Sequence, residues 1–181
     1  MKDILTTKRL SLVQLGPSSS ELVVDYVKRN RTFLAPWEME RDEAYYTKAF
    51  HAELLNIEAK LIEDGHLFKV WMLYEERIIG SIALSNVVRG AFQSCHLGYR
   101  MDGTLVNQGL MTEGIQAVIT YAFDVMKLHR IEANIMPSNT ASLRVVEKLG
   151  FYNEGLAHKY LKIHGVWEDH IHMVLRNAAM E

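Results

Sequence analysis

The chain has 181 residues, 49% apolar and 23% charged, the range of ordinary globular proteins, which excludes a disordered or collagen-like chain. Twenty basic against 22 acidic residues leave a net charge of -2, so the basic excess usual in nucleic-acid binders is absent overall. The single cysteine, Cys95, excludes an internal disulfide and any zinc site built on paired cysteines.

The first predicted element is a largely buried strand, Arg9 to Leu15, with Leu10, Leu12 and Gln14 on one side and Arg9, Ser11, Val13 and Leu15 on the other. Gly16-Pro17 stops it, and Ser18 with Glu21 three residues on reads as a capping box for a helix reaching about Asn30. Arg31 to Arg41 is an irregular connection whose Phe33, Leu34, Pro36 and Trp37 make it apolar enough to pack onto something. A long helix, about Asp42 to Asp64, is expected next. Its Phe50, Leu54, Ile57 and Leu61 form the apolar stripe of an amphipathic helix, and Gly65 ends it.

Leu67–Tyr74 and Ile78–Val88 read as strands joined by a short hairpin loop, and Gln93–Met101 as a third. Leu110–Lys127 is the clearest helix, burying Met111, Ile115, Val118, Ala122 and Val125. A strand at Arg130–Met136, a helix at Ser138–Leu149 and a hairpin of Tyr160–Ile163 with Glu168–Leu175 through His164-Gly165 complete the chain. The order β-α-α-β-β-β-α-β-α-β-β predicts a single α/β domain over 1–181 with a mixed sheet flanked by helices.

Met1 to Thr6 lacks the apolar core of a signal peptide, and no apolar run approaches the ~18 residues of a membrane span. With one cysteine, a soluble cytoplasmic protein without a membrane partner is expected.

Leu105-Val106-Asn107-Gln108-Gly109-Leu110-Met111-Thr112-Glu113 joins a strand to an amphipathic helix. Such a junction is either a plain turn or an anion site, because free backbone N–H groups and the helix dipole suit a pyrophosphate. It is neither a Walker loop nor a GxGxxG fingerprint. In Pro137-Ser138-Asn139-Thr140-Ala141-Ser142 and the following Arg144, Ser138 or Asn139 is a good N-cap and Gly150 a good C-cap, and nothing local forces a catalytic reading.

In order and spacing these two segments resemble the GNAT superfamily of acyl-CoA-dependent N-acetyltransferases. Ser85-Asn86-Val87-Val88-Arg89-Gly90, Cys95-His96-Leu97-Gly98-Tyr99, Gly109-Leu110-Met111, Leu128-His129-Arg130-Ile131-Glu132-Ala133-Asn134 and Lys148-Leu149-Gly150-Phe151 resemble its RimJ/RimL branch, the ribosomal-protein N-terminal alanine or serine acetyltransferases. The resemblance runs from Thr7-Lys8-Arg9-Leu10 to His164-Gly165-Val166-Trp167-Glu168-Asp169-His170. It implies an α/β (α+β) fold whose mixed, mostly antiparallel sheet has about six to seven strands. Two central parallel strands, Cys95–Met101 and Arg130–Met136, would splay to hold acetyl-CoA. It further implies that the backbone of Gln108, Gly109, Leu110, Met111 and Thr112 binds the pyrophosphate. The pantetheine would pair along the strand holding Leu97 and Tyr99, Asn139 would bond the CoA arm and Arg144 its phosphates.

The sequence departs from the superfamily signature at Val106 and Met111, and Val146 occupies the place of the tyrosine general acid found in many members. Ser142 is the nearest substitute for that acid. His96, where many relatives carry glutamate, is the first base candidate, since an imidazole titrates near neutrality. Glu113 is the second, although an acidic side chain in a first helical turn also has a structural use. Cys95 and His96 point to opposite faces of a strand, which argues against a nucleophile pair. His170 and His172 share a strand face without a third ligand nearby, and no metal is expected.

The resemblance places the acceptor groove at Phe33, Leu34, Trp37, Glu38, Ser85, Asn86 and Arg89, and the acidic run Glu38 to Glu43 suits a basic N-terminus. A protein α-amine, with pKa about 8, is roughly one-tenth neutral at pH 7 and needs a weaker base than lysine. The expected reaction is attack of an amine on acetyl-CoA, the amine being the N-terminal Ala or Ser of a ribosomal protein. A small amine acceptor and a CoA-binding ribosome-assembly factor with little catalysis are the alternatives. No direct nucleic-acid partner is expected, and the sequence leaves monomer and homodimer open.

Overall fold

A computed structural model describes residues 1–181. Eight strands form one sheet: β1 (Lys2–Thr6), β2 (Ser11–Gln14), β3 (Phe68–Tyr74), β4 (Arg77–Val88), β5 (Ser94–Met101), β6 (Arg130–Ile135), β7 (Tyr152–Ile163) and β8 (Val166–Arg176). Their order is β1-β2-β3-β4-β5-β6-β8-β7. Every neighbouring pair is antiparallel except β5 and β6, which run parallel. The helices are α1 (Ser20–Arg29), the single turn α2 (Arg31–Leu34), α3 (Lys48–Glu63), α4 (Leu110–Asp124) and α5 (Thr140–Lys148).

The period of two in the strands splits the apolar residues between two cores. Leu12 and Met72 join the larger one, packed by α4 and α5, while their chain neighbours Val13 and Trp71 join the smaller one, packed by α1 and α3. Gly114 lets α4 lie close on the sheet, since a Cβ there would meet Ile82 Cδ1 at 2.9 Å.

The sheet has one strand more than the six to seven expected. The unforeseen strand is β1, an edge strand in which only Ile4 and Leu5 are half-buried, too little apolar pattern to read. The capping box does not form: Pro17–Ser19 make a 3-10 turn, α1 starts at Ser20, and Glu21 instead binds Lys48 Nζ at 2.5 Å. The helix expected from Asp42 is two pieces. Asp42 caps a single turn, Glu43–Tyr46; Thr47 is extended, and its Oγ1 accepts the Phe50 N–H at 3.3 Å to start α3. β7 begins eight residues earlier than expected, because the bulges near Gly155 and between Ala157 and Leu161 break its alternation.

The stripe of α3 is displaced from the pattern. His51 and Leu55 face the core, while Phe50, Ile57 and Leu61 are 37%, 48% and 39% exposed. The buried His51 ring packs against Tyr45 and Phe50. Burial, together with the nearby Arg100 charge, lowers its pKa to about 4. A folded-state pKa below the unfolded value of about 6.5 gives stability that is full above that value and lost as pH falls toward 4. The fold is therefore expected to lose about 2 kcal/mol between pH 7 and pH 5 through this group. His51→Phe should flatten that slope in urea titrations at both pH values, and an unchanged slope would rule the ring out as its source. No helix is long and apolar enough to cross a membrane.

Candidate active site

β5 and β6 pair only where Ser94–His96 meets Arg130–Glu132. Beyond that point β5 stays with β4 as far as Met101 and β6 stays with β8 as far as Ile135, so the two parallel strands part. A cavity of about 390 Å³ lies at the opening, within the roughly 300–1,000 Å³ typical of ligand sites. It is bounded by Tyr99 and Met101 of β5, by Val106 to Thr112 leading into α4, and by Asn139, Ser142, Val145 and Lys148 of α5.

The loop into α4 has a backbone that could hold an anion. Asn107 (φ 62) and Gly109 (φ 75) are both left-handed on either side of Gln108, a curl at the helix start, and such curls can gather backbone N–H groups about an anion. Arg9 braces it, Nη1 donating to the Gln108 carbonyl at 3.0 Å. Glu113 anchors Arg9 in turn, accepting its backbone N–H at 2.8 Å and its Nε at 2.7 Å, and the Thr7 hydroxyl at 2.6 Å. Burial works against the Glu113 charge, but these bonds outweigh it and lower its pKa. A carboxylate so occupied is a structural brace, and the geometry removes Glu113 from the base candidates.

At the inner end, Tyr99 Oη lies 2.6 Å from Ser142 Oγ, and Oη also donates to the Ser142 carbonyl at 3.0 Å. Asn139 caps α5 by accepting the Ser142 N–H at 3.2 Å. Burial pushes the Tyr99 phenol up to about 12, against the opposing pull of Ser142. The pair is therefore uncharged near neutrality and carries two transferable hydroxyl protons.

The structure brings Tyr99, Gln108, Gly109, Leu110, Met111, Thr112, Asn139 and Ser142 to one cavity, with Phe33, Trp37 and Glu38 on its rim. Other expected residues fall elsewhere. The Leu97 side chain is buried in the large core, 6% exposed, so the part expected of it in cofactor binding falls to its backbone alone. Arg144 is exposed and off the cavity wall, whereas Lys148 lines it. Arg144 stands at the edge of the lining face, in helical register with Ala141 and Lys148, and its side chain runs to solvent. Val146, in the place of the family tyrosine, is fully buried in the core. Arg9 was missed because its role depends on a fold contact 104 residues away.

His96 lines neither the cavity nor the groove described below. Its Nδ1 is 3.1 Å from Asn86 Nδ2 and its Nε2 is 3.7 Å from Glu132. Asn86, at a left-handed position (φ 49) in the β4 bulge, is thereby spent on His96. Arg89 donates to the Met126 carbonyl, and Ser85 pairs with His96 across the sheet. None of these three acceptor candidates lines the cavity or the groove. Cys95 lies opposite His96, buried in the large core, its thiol pushed up to about 12 by burial.

On the other face of β5 a groove of about 550 Å³ runs from Gly98 across Ala83 of β4 to Lys69 of β3, walled by Phe50, Leu54 and Glu58 of α3. A Cβ at Gly98 would meet nothing within 4 Å, so the floor is open there. Tyr99, Arg100 and Glu38 border both groove and cavity. Arg100 is held by Tyr45 Oη at 2.8 Å, Glu38 at 3.2 Å and Ser81 Oγ at 3.3 Å. Burial works against its charge, and Tyr45 and Glu38 more than offset that.

Parted parallel strands, a curled loop at a helix start and a second groove meeting the first at one strand match the acyl-CoA and acceptor sites that the resemblance to the acyl-CoA-dependent N-acetyltransferases implies. The chain belongs to the GNAT acetyltransferase family: residues 9–152 match the family model described as "Acetyltransferase (GNAT) domain". It is 39% identical over 170 residues to the [ribosomal protein uS5]-alanine N-acetyltransferase of Escherichia coli, covering 92% of this chain and 87% of that protein. It is 36% identical over 176 residues to the probable N-acetyltransferase YjcK of Bacillus subtilis, covering 96% and 97%. The structure of the ribosomal-protein-S5-alanine acetyltransferase of Vibrio fischeri superposes with a TM-score of 0.92 at 32% identity, covering 98% of each chain. The protein is an acetyl-CoA-dependent N-acetyltransferase of the RimJ/RimL type.

Proposed function

We propose that the protein acetylates the N-terminal α-amine, on Ala or Ser, of a ribosomal protein. The observation that carries this reading is the groove floored by Gly98 and Ala83, which meets the cofactor cavity at Tyr99 and is large enough for the first residues of a polypeptide. Similarity to the E. coli uS5-alanine enzyme over most of both chains supports the ribosomal acceptor.

Acetyl-CoA supplies an activated thioester. The loop from Gln108 to Thr112 holds the pyrophosphate, with Arg9 keeping its curl and Lys148 adding positive charge. The splayed edge of β5 orients the pantetheine and offers a backbone N–H to the developing oxyanion. Ser142 gives a proton to the departing sulfur, Tyr99 turns its hydroxyl from the Ser142 carbonyl to return a proton to Ser142 across 2.6 Å, and solvent reprotonates Tyr99. The α-amine loses its proton to solvent, because about one-tenth of it is already neutral at pH 7. His96, its Nδ1 occupied by Asn86, holds the strand beside the groove. His96→Ala is accordingly expected to reduce kcat/KM by less than about tenfold, a smaller loss than that of a general base.

The test is a steady-state comparison of an Ala-initiated basic hexapeptide with spermidine and free alanine. A kcat/KM at least about a hundredfold higher for the peptide is expected. Faster turnover of either small amine would overturn the protein-acceptor reading.

A further inference from the structure

The apolar ridge of α3 is covered only at its N-terminal end, where Phe50 packs on Tyr45, and Ile57 and Leu61 are left exposed. Phe50, Leu54, Ile57 and Leu61 stand in helical register, and three of them are 37–48% exposed although the pattern is that of a core-facing stripe. The ridge is continuous with the groove. Phe50 and Leu54 wall it, Leu67 lines it, and the Leu67 N–H binds the Leu61 carbonyl at 3.1 Å. Ile57 and Leu61 carry the same surface onward, and Phe50 to Leu61 spans about 16 Å, the reach of about five extended residues.

The two charged residues lining this end of the groove neutralise each other: Lys69 and Glu58 form an ion pair, their side chains 10% and 14% exposed, and Lys69 lies over the Trp71 ring. A small amine would occupy only part of the groove and leave the ridge in water. A polypeptide whose first residue sits over Gly98 has to leave the groove somewhere, and the exit past Leu54 and Leu67 is apolar, its one inward-facing charge pair being neutralised.

We propose that the ridge is the docking surface for the segment of acceptor polypeptide following the acetylated residue, and that this segment carries apolar side chains. The proposal rests on the α-amine reading above and adds where the acceptor chain runs and what it must contain. The ridge then selects acceptors by residues beyond the first few, while the groove over Gly98 and Ala83 selects the first.

The test uses the full-length protein with Ile57→Ser/Leu61→Ser, two exposed positions outside cavity and groove, and thermal unfolding to show that the fold is kept. The substrates are an Ala-initiated tripeptide amide and a twelve-residue peptide with the same start and apolar residues at positions four to eight. Anisotropy of the long peptide, labelled at its C-terminus, reports binding directly. The variant is expected to raise both KM and Kd for the long peptide at least about tenfold, as loss of two apolar contacts implies, and to leave the tripeptide unchanged. An equal effect on both peptides, or none on the long one, would overturn the proposal. So would a change in oligomeric mass with an unaltered long-peptide Kd, which would assign the ridge to a second copy of the chain. If the wild type acetylates neither peptide but binds the long one through the ridge, the α-amine reading fails and the docking surface stands.

Discussion

Asp102→Ala is expected to cost about 3 kcal/mol of stability, at the lower end of the range for removing one partner of a buried ion pair. Asp102 ends β5 with its side chain only 2% exposed. It accepts Arg29 Nε at 2.8 Å, the Thr104 N–H at 3.0 Å and the Thr104 hydroxyl at 2.7 Å. Arg29 also reaches the Ile78 carbonyl and Asp25, and the Asn30 side chain accepts the Gly103 N–H at 2.9 Å. The cluster ties α1 to the start of the connection that forms the anion loop. Without Asp102 a guanidinium only 17% exposed loses its main counter-charge. Burial pushes the Asp102 carboxyl up, but the bonds from Arg29 and Thr104 win and hold it at about 2. Because this folded-state pKa lies below the unfolded value of about 3.9, the stabilisation is full above pH 4 and is lost as pH falls from 4 to 2. Urea unfolding at pH 7 reads the first effect. The second appears as a wild-type advantage over Asp102→Asn that shrinks in that acid window. A variant as stable as wild type at pH 7 would show that Arg29 is satisfied without Asp102.

The elements that set this architecture were legible where one residue period dominates. The α4 stripe of Met111, Ile115, Val118 and Ala122 is buried as read, although the helix stops at Asp124 and leaves Val125 60% exposed. The hairpin through His164-Gly165 forms where expected, with both turn residues left-handed (φ 45 and 77). α3 was misread because Phe50, Leu54, Ile57 and Leu61 repeat as well as a core stripe does. Periodicity reports an apolar side, and only the packing partners decide whether that side is buried. Of the site, the Asn139 cap on Ser142 was legible because capping is local, whereas the junction into α4 read locally as either a plain turn or an anion site. The roles of Arg9, Glu113 and Arg100 were not, since each depends on partners that only the fold brings near.

Ser142→Ala is expected to lower kcat by about 10²-fold with little change in the KM for acetyl-CoA, the pattern of a group that acts on the leaving sulfur. Tyr99→Phe keeps the ring against the cavity and removes only the proton behind Ser142, so a smaller loss, about tenfold, is expected. If the two hydroxyls form one relay, the double variant should be no worse than Ser142→Ala alone. Additive losses would show that they act separately. Loss of acetyl-CoA affinity with kcat intact would make Ser142 a binding residue.

Acetyl transfer to a protein N-terminus is tested most directly by intact mass spectrometry of two peptides incubated with acetyl-CoA and the protein. One is basic and begins with a free Ala or Ser; the other is its N-terminally blocked twin containing lysine. One added acetyl group on the free peptide and none on the twin is the predicted result. Acetylation of the lysine in the blocked twin, or of neither peptide while acetyl-CoA binding is demonstrated, would contradict it.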